Sequence, residues 1–256
     1  MLLNEKIAIV TGAAQGIGKG IAEVFAREGA TVVIADIQEK KGAEAAAEIQ
    51  KKTGHVVTFR KLDVSDERAI GPFVSGVEKE FKRIDVLVNN AAVQDWVPFL
   101  ETSLEMWDRH FAVNVRGMFM LSQAVAKVMV RQGGGKIINL SSDSGVSPLP
   151  EGAAAYCATK SAIIALTRNI AKELGRHKVY CNAICPGAII TPTTERFMAK
   201  TWEPGQNPEG WAKAAALRKV GYPEDIGRVA LFLACYLSDH VTGEHLLATG
   251  GDVMSQ

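Results

Sequence analysis

Seven short apolar runs rich in β-branched residues alternate with stretches of helical periodicity, and few folds accommodate that alternation. The runs fall at residues 6–10, 31–35, 56–62, 85–88, 136–140, 179–185 and 244–248. Between them the spacing predicts a helix carrying Ile17, Ile21, Val24 and Phe25 and closed by Gly29. Further helices are predicted over 38–52, 67–81 (with Pro72 near the first turn), 104–132, 152–174 and 223–237. Short runs buried on both faces suit parallel strands, and strand–helix alternation implies right-handed crossovers. The predicted fold class is α/β: a doubly wound, mostly parallel seven-stranded sheet, Rossmann-like. The chain has no repeat, low-complexity tract or linker, so its 256 residues are expected to form a single domain.

Composition narrows the function. A formal net charge of +1 gives no support to nucleic acid or an anionic membrane as partner. The start, Met1 to Lys6, is too short and charged for a signal peptide, and no apolar run approaches a membrane span. Cys157, Cys181, Cys185 and Cys235 read as reduced thiols, which points to the cytoplasm. Cys181 and Cys185 sit in an apolar run without histidine pairs at ligand spacing, so no metal site is expected. His55, His110, His177, His240 and His245 read as surface or satisfied structural residues.

In a sheet of this kind ligands bind outside the carboxyl ends of the strands. After the first run comes Thr11-Gly12-Ala13-Ala14-Gln15-Gly16-Ile17-Gly18. Its glycines permit a tight turn, and the next helix offers free N–H groups to a pyrophosphate. Asp36 ends the second run, where a carboxylate can accept hydrogen bonds from ribose hydroxyls and repel a 2′-phosphate. Gln15 and Ile37 are neutral where a phosphate-binding version would place arginine, so NAD is favoured over NADP; Lys40 and Lys41 could soften that preference.

Tyr156-Cys157-Ala158-Thr159-Lys160 lies in an alanine-rich stretch without proline. Residues four apart share a helix face, so Tyr156 and Lys160 project together. Bringing a phenol from a pKa of about 10 to about 7 requires roughly 4 kcal/mol. One ammonium at about 4 Å supplies a term of that order. The pair can make an acid/base of a tyrosine.

With these motifs in order over nearly its full length, the chain resembles the short-chain dehydrogenase/reductase family. The matching residues are Thr11 to Gly18, Asp63-Val64, Asn89-Asn90-Ala91-Ala92, Asn114, Ser142, Tyr156 with Lys160, and Pro186-Gly187 with Thr191. The resemblance implies an NAD-dependent oxidoreductase acting on CH–OH donors, with catalytic residues Asn114, Ser142, Tyr156 and Lys160. Ser142 would hydrogen-bond the substrate oxygen and Tyr156 would exchange its proton. Lys160 would bind the nicotinamide ribose and, with the oxidised ring, depress the tyrosine pKa. Asn114 would mark a helix kink holding a proton-relay water. The implied cofactor contacts are Gly12, Gln15, Gly16, Ile17, Gly18, Asp36, Ile37, Asp63, Val64, Asn90, Ala91, Tyr156, Lys160, Pro186, Gly187, Ile189 and Thr191. Two departures stand out. Ala92 replaces the usual glycine, which costs on the order of 1 kcal/mol if that position needs positive φ. The segment from Ser142 to Tyr156 is one residue longer than is commonest, which leaves Ser142 and Ser144 as alternatives at the substrate, the spacing to Gly145 favouring Ser142.

The substrate-lining segments read as 94–99, 143–151 and 188–217. They mix Trp96, Phe197, Trp202 and Trp211 with Gln94, Asp143, Ser144, Ser147 and Glu151. Expected substrate contacts are Gln94, Trp96, Ser142, Ser144, Glu151 and Tyr156. Pro204, Gly205 and Pro208 mark a lid within 188–217. Such a pocket suits a sugar or polyol; the alternatives are a 3-oxoacyl thioester and, in another class, a non-catalytic NAD-sensing regulator. Small residues Ala154, Ala158, Ser161 and Ala165 on the 152–174 helix, with the family's habit of pairing through such helices, point to a homotetramer.

Overall fold

The structure, a computed structural model, describes residues 1–147, 152–195 and 207–254. Its strands are β1 Ile7–Thr11, β2 Thr31–Asp36, β3 Val57–Lys61, β4 Val86–Asn89, β5 Gly135–Leu140, β6 Val179–Pro186 and β7 His245–Ala248. They form one sheet in the order β3-β2-β1-β4-β5-β6-β7, and every neighbouring pair is parallel. The sheet is thus wholly parallel, and each strand end lies within one residue of its expected position. The order reverses between β1 and β4, which opens a crevice at their carboxyl ends.

Strand periodicity divides the core in two. Ala8, Val10, Val32, Ile34, Val86, Val88 and Ile138 face Ile21 and Phe25 of α1 (Gly16–Arg27), Ile49 of α2 (Glu39–Thr53) and Ile226 of α8 (Pro223–Ala234). The alternate residues Ile7, Ile9, Val33, Leu87 and Ile137 face Phe73 and Val77 of α3 (Glu67–Phe81) and Leu121, Val125 and Met129 of α5 (Met118–Gln132). Each fully buried large side chain of this kind is worth about 1.5–3 kcal/mol. Asp66 caps α3 by accepting from the Arg68 N–H, and Pro72 is tolerated inside that helix.

The helix expected over 104–132 is three pieces. A short α4 (Leu104–His110) passes into a π-helical stretch, Phe111–Gly117, and then into α5. The wide turn has local causes. Asn114 turns inward, and Gly117 approaches β3's exit so closely that a Cβ there would lie 2.6 Å from the Val64 carbonyl oxygen. The helix carrying Tyr156 and Lys160 is α6 (Ala154–Leu174), which begins after Gly152 at φ +94°. The last helix stops at Ala234, short of the expected residue 237, and a single 3-10 turn (Tyr236–Ser238) follows. Of the expected lid, α7 (Pro208–Ala214) is helical, capped by Asn207. Phe197, Trp202, Pro204 and Gly205 lie outside the described residues, as does Glu151.

Candidate active site

The glycine turn leads β1 into α1. Gly12 (φ +62°) and Gly16 (φ +60°) hold a backbone conformation that side chains disfavour. Space is also short: a Cβ on Gly12 would stand 2.8 Å from Ala91 Cα, and one on Gly18 2.5 Å from Asn90 Nδ2. The Asn90 amide donates to the carbonyl oxygens of Thr11 (2.9 Å) and Gly12 (3.0 Å). Thr11 Oγ1 in turn accepts from the N–H groups of Asn90 (2.9 Å) and Ala91 (3.0 Å). Asn90 and Thr11 thus tie β4's exit to the turn. Ala92 is not at positive φ, so the missing glycine introduces no backbone strain.

Asp36 is buried at the end of β2, where Oδ2 accepts from the Ala14 N–H (3.0 Å) and Oδ1 from the Gln38 N–H (2.9 Å). It therefore braces the turn as well as presenting a carboxylate. Ile37 beside it is 60% exposed, and the Lys41 ammonium is engaged by Gln15 Oε1 at 3.3 Å. Asp63 is exposed and accepts from the N–H and hydroxyl of Ser65, while Val64 is buried. On the opposite wall, a Cβ on Gly187 would come within 3.0 Å of Thr249 Cα, and Thr191 packs over Gly16. Pro186 closes β6; Ile189 is a core side chain whose backbone bridges to Gly221. A groove framed by N–H groups of a helix start, short of Cβ atoms and lined by one carboxylate, fits a dinucleotide.

Ser142 leaves the end of β5 at the start of a 3-10 turn, Asp143–Gly145. Gly145 lets that turn rest on α6, since a Cβ would sit 2.9 Å from the Lys160 carbonyl. Ser142 Oγ donates to Asp143 Oδ1 (2.8 Å) and accepts from Ser144 Oγ (2.7 Å). Both serines are buried, and it is the Ser142 hydroxyl that the Tyr156 phenol engages. On α6 the Tyr156 phenol meets this hydroxyl and Lys160 lies one turn on, 97% buried.

The electrostatics differ from expectation. Burial pushes the phenol of Tyr156 above its ordinary value; the Ser142 hydroxyl lowers it and the Asp143 charge raises it again. Lys160 does not offset this in the chain alone. Its ammonium donates to the Leu140 carbonyl (2.7 Å) and stands 5.3 Å from the Tyr156 ring centroid, and burial pushes it down to about 8. In the chain alone burial thus outweighs the Ser142 hydrogen bond and raises the phenol; the depression expected from Lys160 together with the oxidised ring belongs to the cofactor-bound site.

Asn114 sits in the π-helical stretch, fully buried. Its Oδ1 accepts from the Val93 N–H (2.8 Å), and its Nδ2 donates to the Val93 carbonyl (3.0 Å) and Thr159 Oγ1 (3.1 Å). It holds the strip carrying Gln94 and Trp96 against α6, and the Val97 N–H bonds the Gly152 carbonyl (3.0 Å). Sequence reasoning quoted Thr11 and Thr159 within their motifs but gave their side chains no role, and it missed the carbonyl of Leu140. His110, read as a surface or satisfied structural residue, is the latter. That ring is fully buried, bonds the Met106 carbonyl through Nδ1 (2.9 Å) and accepts from the Asp95 N–H through Nε2 (3.3 Å).

A family model described as enoyl-(acyl carrier protein) reductase matches residues 12–252. The chain is 40% identical to a galactitol 2-dehydrogenase of Agrobacterium fabrum and 39% identical to a sorbitol dehydrogenase of Cereibacter sphaeroides, over the whole of both chains in each case. Among solved structures it superposes on a short-chain type dehydrogenase/reductase from Mycobacterium marinum (TM-score 0.91, 31% identity, 99% of this chain and 97% of that one). A candidate NAD(P)-dependent gluconate 5-dehydrogenase from Beutenbergia cavernae, solved with bound NADP at low occupancy, is as similar (TM-score 0.91, 31% identity, 99% and 98%).

Proposed function

The chain belongs to the short-chain dehydrogenase/reductase family, and from that premise we propose that it oxidises a secondary hydroxyl of a sugar or polyol with NAD. The observation that carries the reading is the meeting of Ser142 and Tyr156 at the carboxyl end of β5, beside the groove that the glycine turn and Thr191 frame. Gly12, Gly16, Gly18, Asp36 and Thr191 would hold the dinucleotide. When bound, it supplies the hydride acceptor.

The chain's own residues handle the proton. Ser142 positions the substrate oxygen; Tyr156 takes the hydroxyl proton in oxidation and returns it in reduction. Lys160, whose ammonium burial brings down to about 8, lies one helical turn from Tyr156 and would give up its proton to the same site in oxidation. Asn114 keeps the wall at Val93 in register with α6. NAD rests on Asp36, whose carboxylate opposes a 2′-phosphate, and on the uncharged Ile37. The described helices include none long and apolar enough to cross a membrane, and the four cysteines are unpaired. A single domain with a lid over 188–217, in the cytoplasm, completes the reading.

The test is reduction of NAD, and separately NADP, with galactitol, sorbitol, glycerol and simple secondary alcohols. Turnover of polyols with NAD is expected. Dinucleotide binding without turnover of any alcohol, or of the matching ketones, overturns the reading and favours a sensor; turnover of 3-oxoacyl thioesters alone moves the chain to acyl reduction.

A further inference from the structure

One ionisable group in the wall of the site has no part in the proton transfer. Asp143 follows Ser142 directly and is largely buried, and burial first, with the nearby charge of Asp252, holds its carboxyl above the ordinary range. Its hydrogen bonds within the described residues converge on one oxygen: Oδ1 accepts from Ser142 Oγ (2.8 Å) and from the Ser144 N–H (2.7 Å). Among the described residues no donor reaches Oδ2 and no cation pairs with the carboxylate. The carboxylate has no counter-ion among the described residues, and an oxygen that takes no donor from them has lone pairs that a bound hydroxyl can use.

Asp143 Oδ1 competes with the Tyr156 phenol for the one proton that Ser142 can donate. The reacting oxygen is placed by Ser142 Oγ. A hydroxyl on the adjacent carbon would then reach Asp143, because Ser142 Oγ and Asp143 Oδ1 lie 2.8 Å apart, close to the spacing of gauche hydroxyls on neighbouring carbons. Resting on the alcohol-oxidising reading above, we propose that Asp143 is a specificity residue. Its carboxylate accepts the second hydroxyl of a vicinal diol, and this new donor frees the Ser142 O–H to turn to the reacting oxygen. A substrate with a lone hydroxyl brings no replacement donor, so it is both held less tightly and aligned less well. No bond other than hydrogen bonds changes in this exchange.

The experiment compares butane-2,3-diol with butan-2-ol, which differ by that one hydroxyl, in wild type, Asp143→Leu and Asp143→Asn. Each kcat/KM is read from the initial slope at saturating NAD. The diol-to-monool ratio is expected to fall about tenfold in Asp143→Leu, the loss of a charge-assisted hydrogen bond. It should fall by a smaller factor, at least about threefold, in Asp143→Asn, which retains a neutral acceptor. A merely structural Asp143 would slow both alcohols alike, so a fall of less than about threefold in the ratio in the folded variants overturns the proposal. If Asp143→Leu fails to fold, the Asn variant decides alone at its own threshold. A wild-type enzyme that oxidises neither butanol nor any polyol overturns the functional reading and the proposal together. A wild type that is active, with an unchanged ratio in the variants, removes only the role of Asp143.

Discussion

The Lys160 ammonium donates to the carbonyl oxygen of Leu140 at 2.7 Å, at the point where β5 gives way to the Ser142 turn. The helix carrying the acid/base is thereby pinned to the strand end that carries the substrate serine. The pin has an energetic cost, because the charge is sheltered from water and its pKa falls from 10.5 to about 8. A lysine depressed in this way binds fewer protons folded than unfolded between those two values. Stability therefore rises with pH across the window of about 8 to 10.5, by an amount on the order of 3 kcal/mol. Lys160→Met removes that component and leaves every other titrating group in place. Urea unfolding without cofactor, run from pH 7 to 10.5, should show wild type gaining on the variant as pH rises. Parallel pH profiles for the two proteins would refute the assignment.

Asp36 braces the cofactor turn through Ala14 and Gln38 as well as facing the groove. Asp36→Ala should therefore weaken both cofactors, by about 1–3 kcal/mol for two stranded backbone donors, and not simply exchange one for the other. Ile37 is the cleaner lever, being exposed. Ile37→Arg should raise kcat/KM for NADP by about tenfold or more and leave NAD within a few-fold. Equal use of both cofactors by wild type would dismiss the preference for NAD.

Gly117 permits the π-helical stretch to lie against the Val64 carbonyl. A methyl at 2.6 Å from a backbone oxygen must push helix and strand end apart. Gly117→Ala should cost about 1–3 kcal/mol in denaturant unfolding, reversing the gain an alanine normally brings to a helix. A variant as stable as wild type would mean that the close approach is not maintained.

The strands were legible because β-branched runs buried on both faces carry their signal locally, and the spacing of Tyr156 and Lys160 carried the shared helix face. Side-chain direction was not legible. Lys160 reaches Leu140, not the phenol, because a β-strand end 20 residues earlier offers an unpaired carbonyl, a fact of tertiary packing. The widened turn at Asn114 was hidden for a related reason. A π-helical stretch shifts hydrogen bonds without disturbing the apolar pattern enough to read. Asn90 matched a motif, yet here it binds the carbonyls of the glycine turn, and only the pairing of β1 with β4 shows this.

Phe119 on α5 is 43% exposed and lines an apolar groove with Ala126, Ile170 and Leu174, while Ser161 and Ala165 are exposed along α6. Paired copies of these two helices would bury that face, in line with the expected tetramer. Phe119→Glu should lower the sedimentation mass from the assembled value. A wild-type mass near 27.5 kDa at micromolar concentration would end the idea.

Tyr156 is held as a phenol by burial, with Asp143 adding to that and Ser142 opposing it. In alcohol oxidation the site must lose one proton before it can accept another. In the chain alone that proton leaves most readily from Lys160, near 8. The pair should accordingly give a kcat/KM that climbs with pH and levels off through an apparent value belonging to both groups. Lys160→Met should displace the climb to higher pH, since the phenol then titrates alone in a sheltered site. Tyr156→Phe keeps the ring and removes the hydroxyl, so NAD affinity should move by less than about 1 kcal/mol while turnover falls about 10²- to 10⁴-fold. Matched circular dichroism and NAD titration separate this from loss of fold. A Tyr156→Phe enzyme that binds NAD normally and keeps more than roughly a tenth of wild-type turnover would assign the proton transfer to another group.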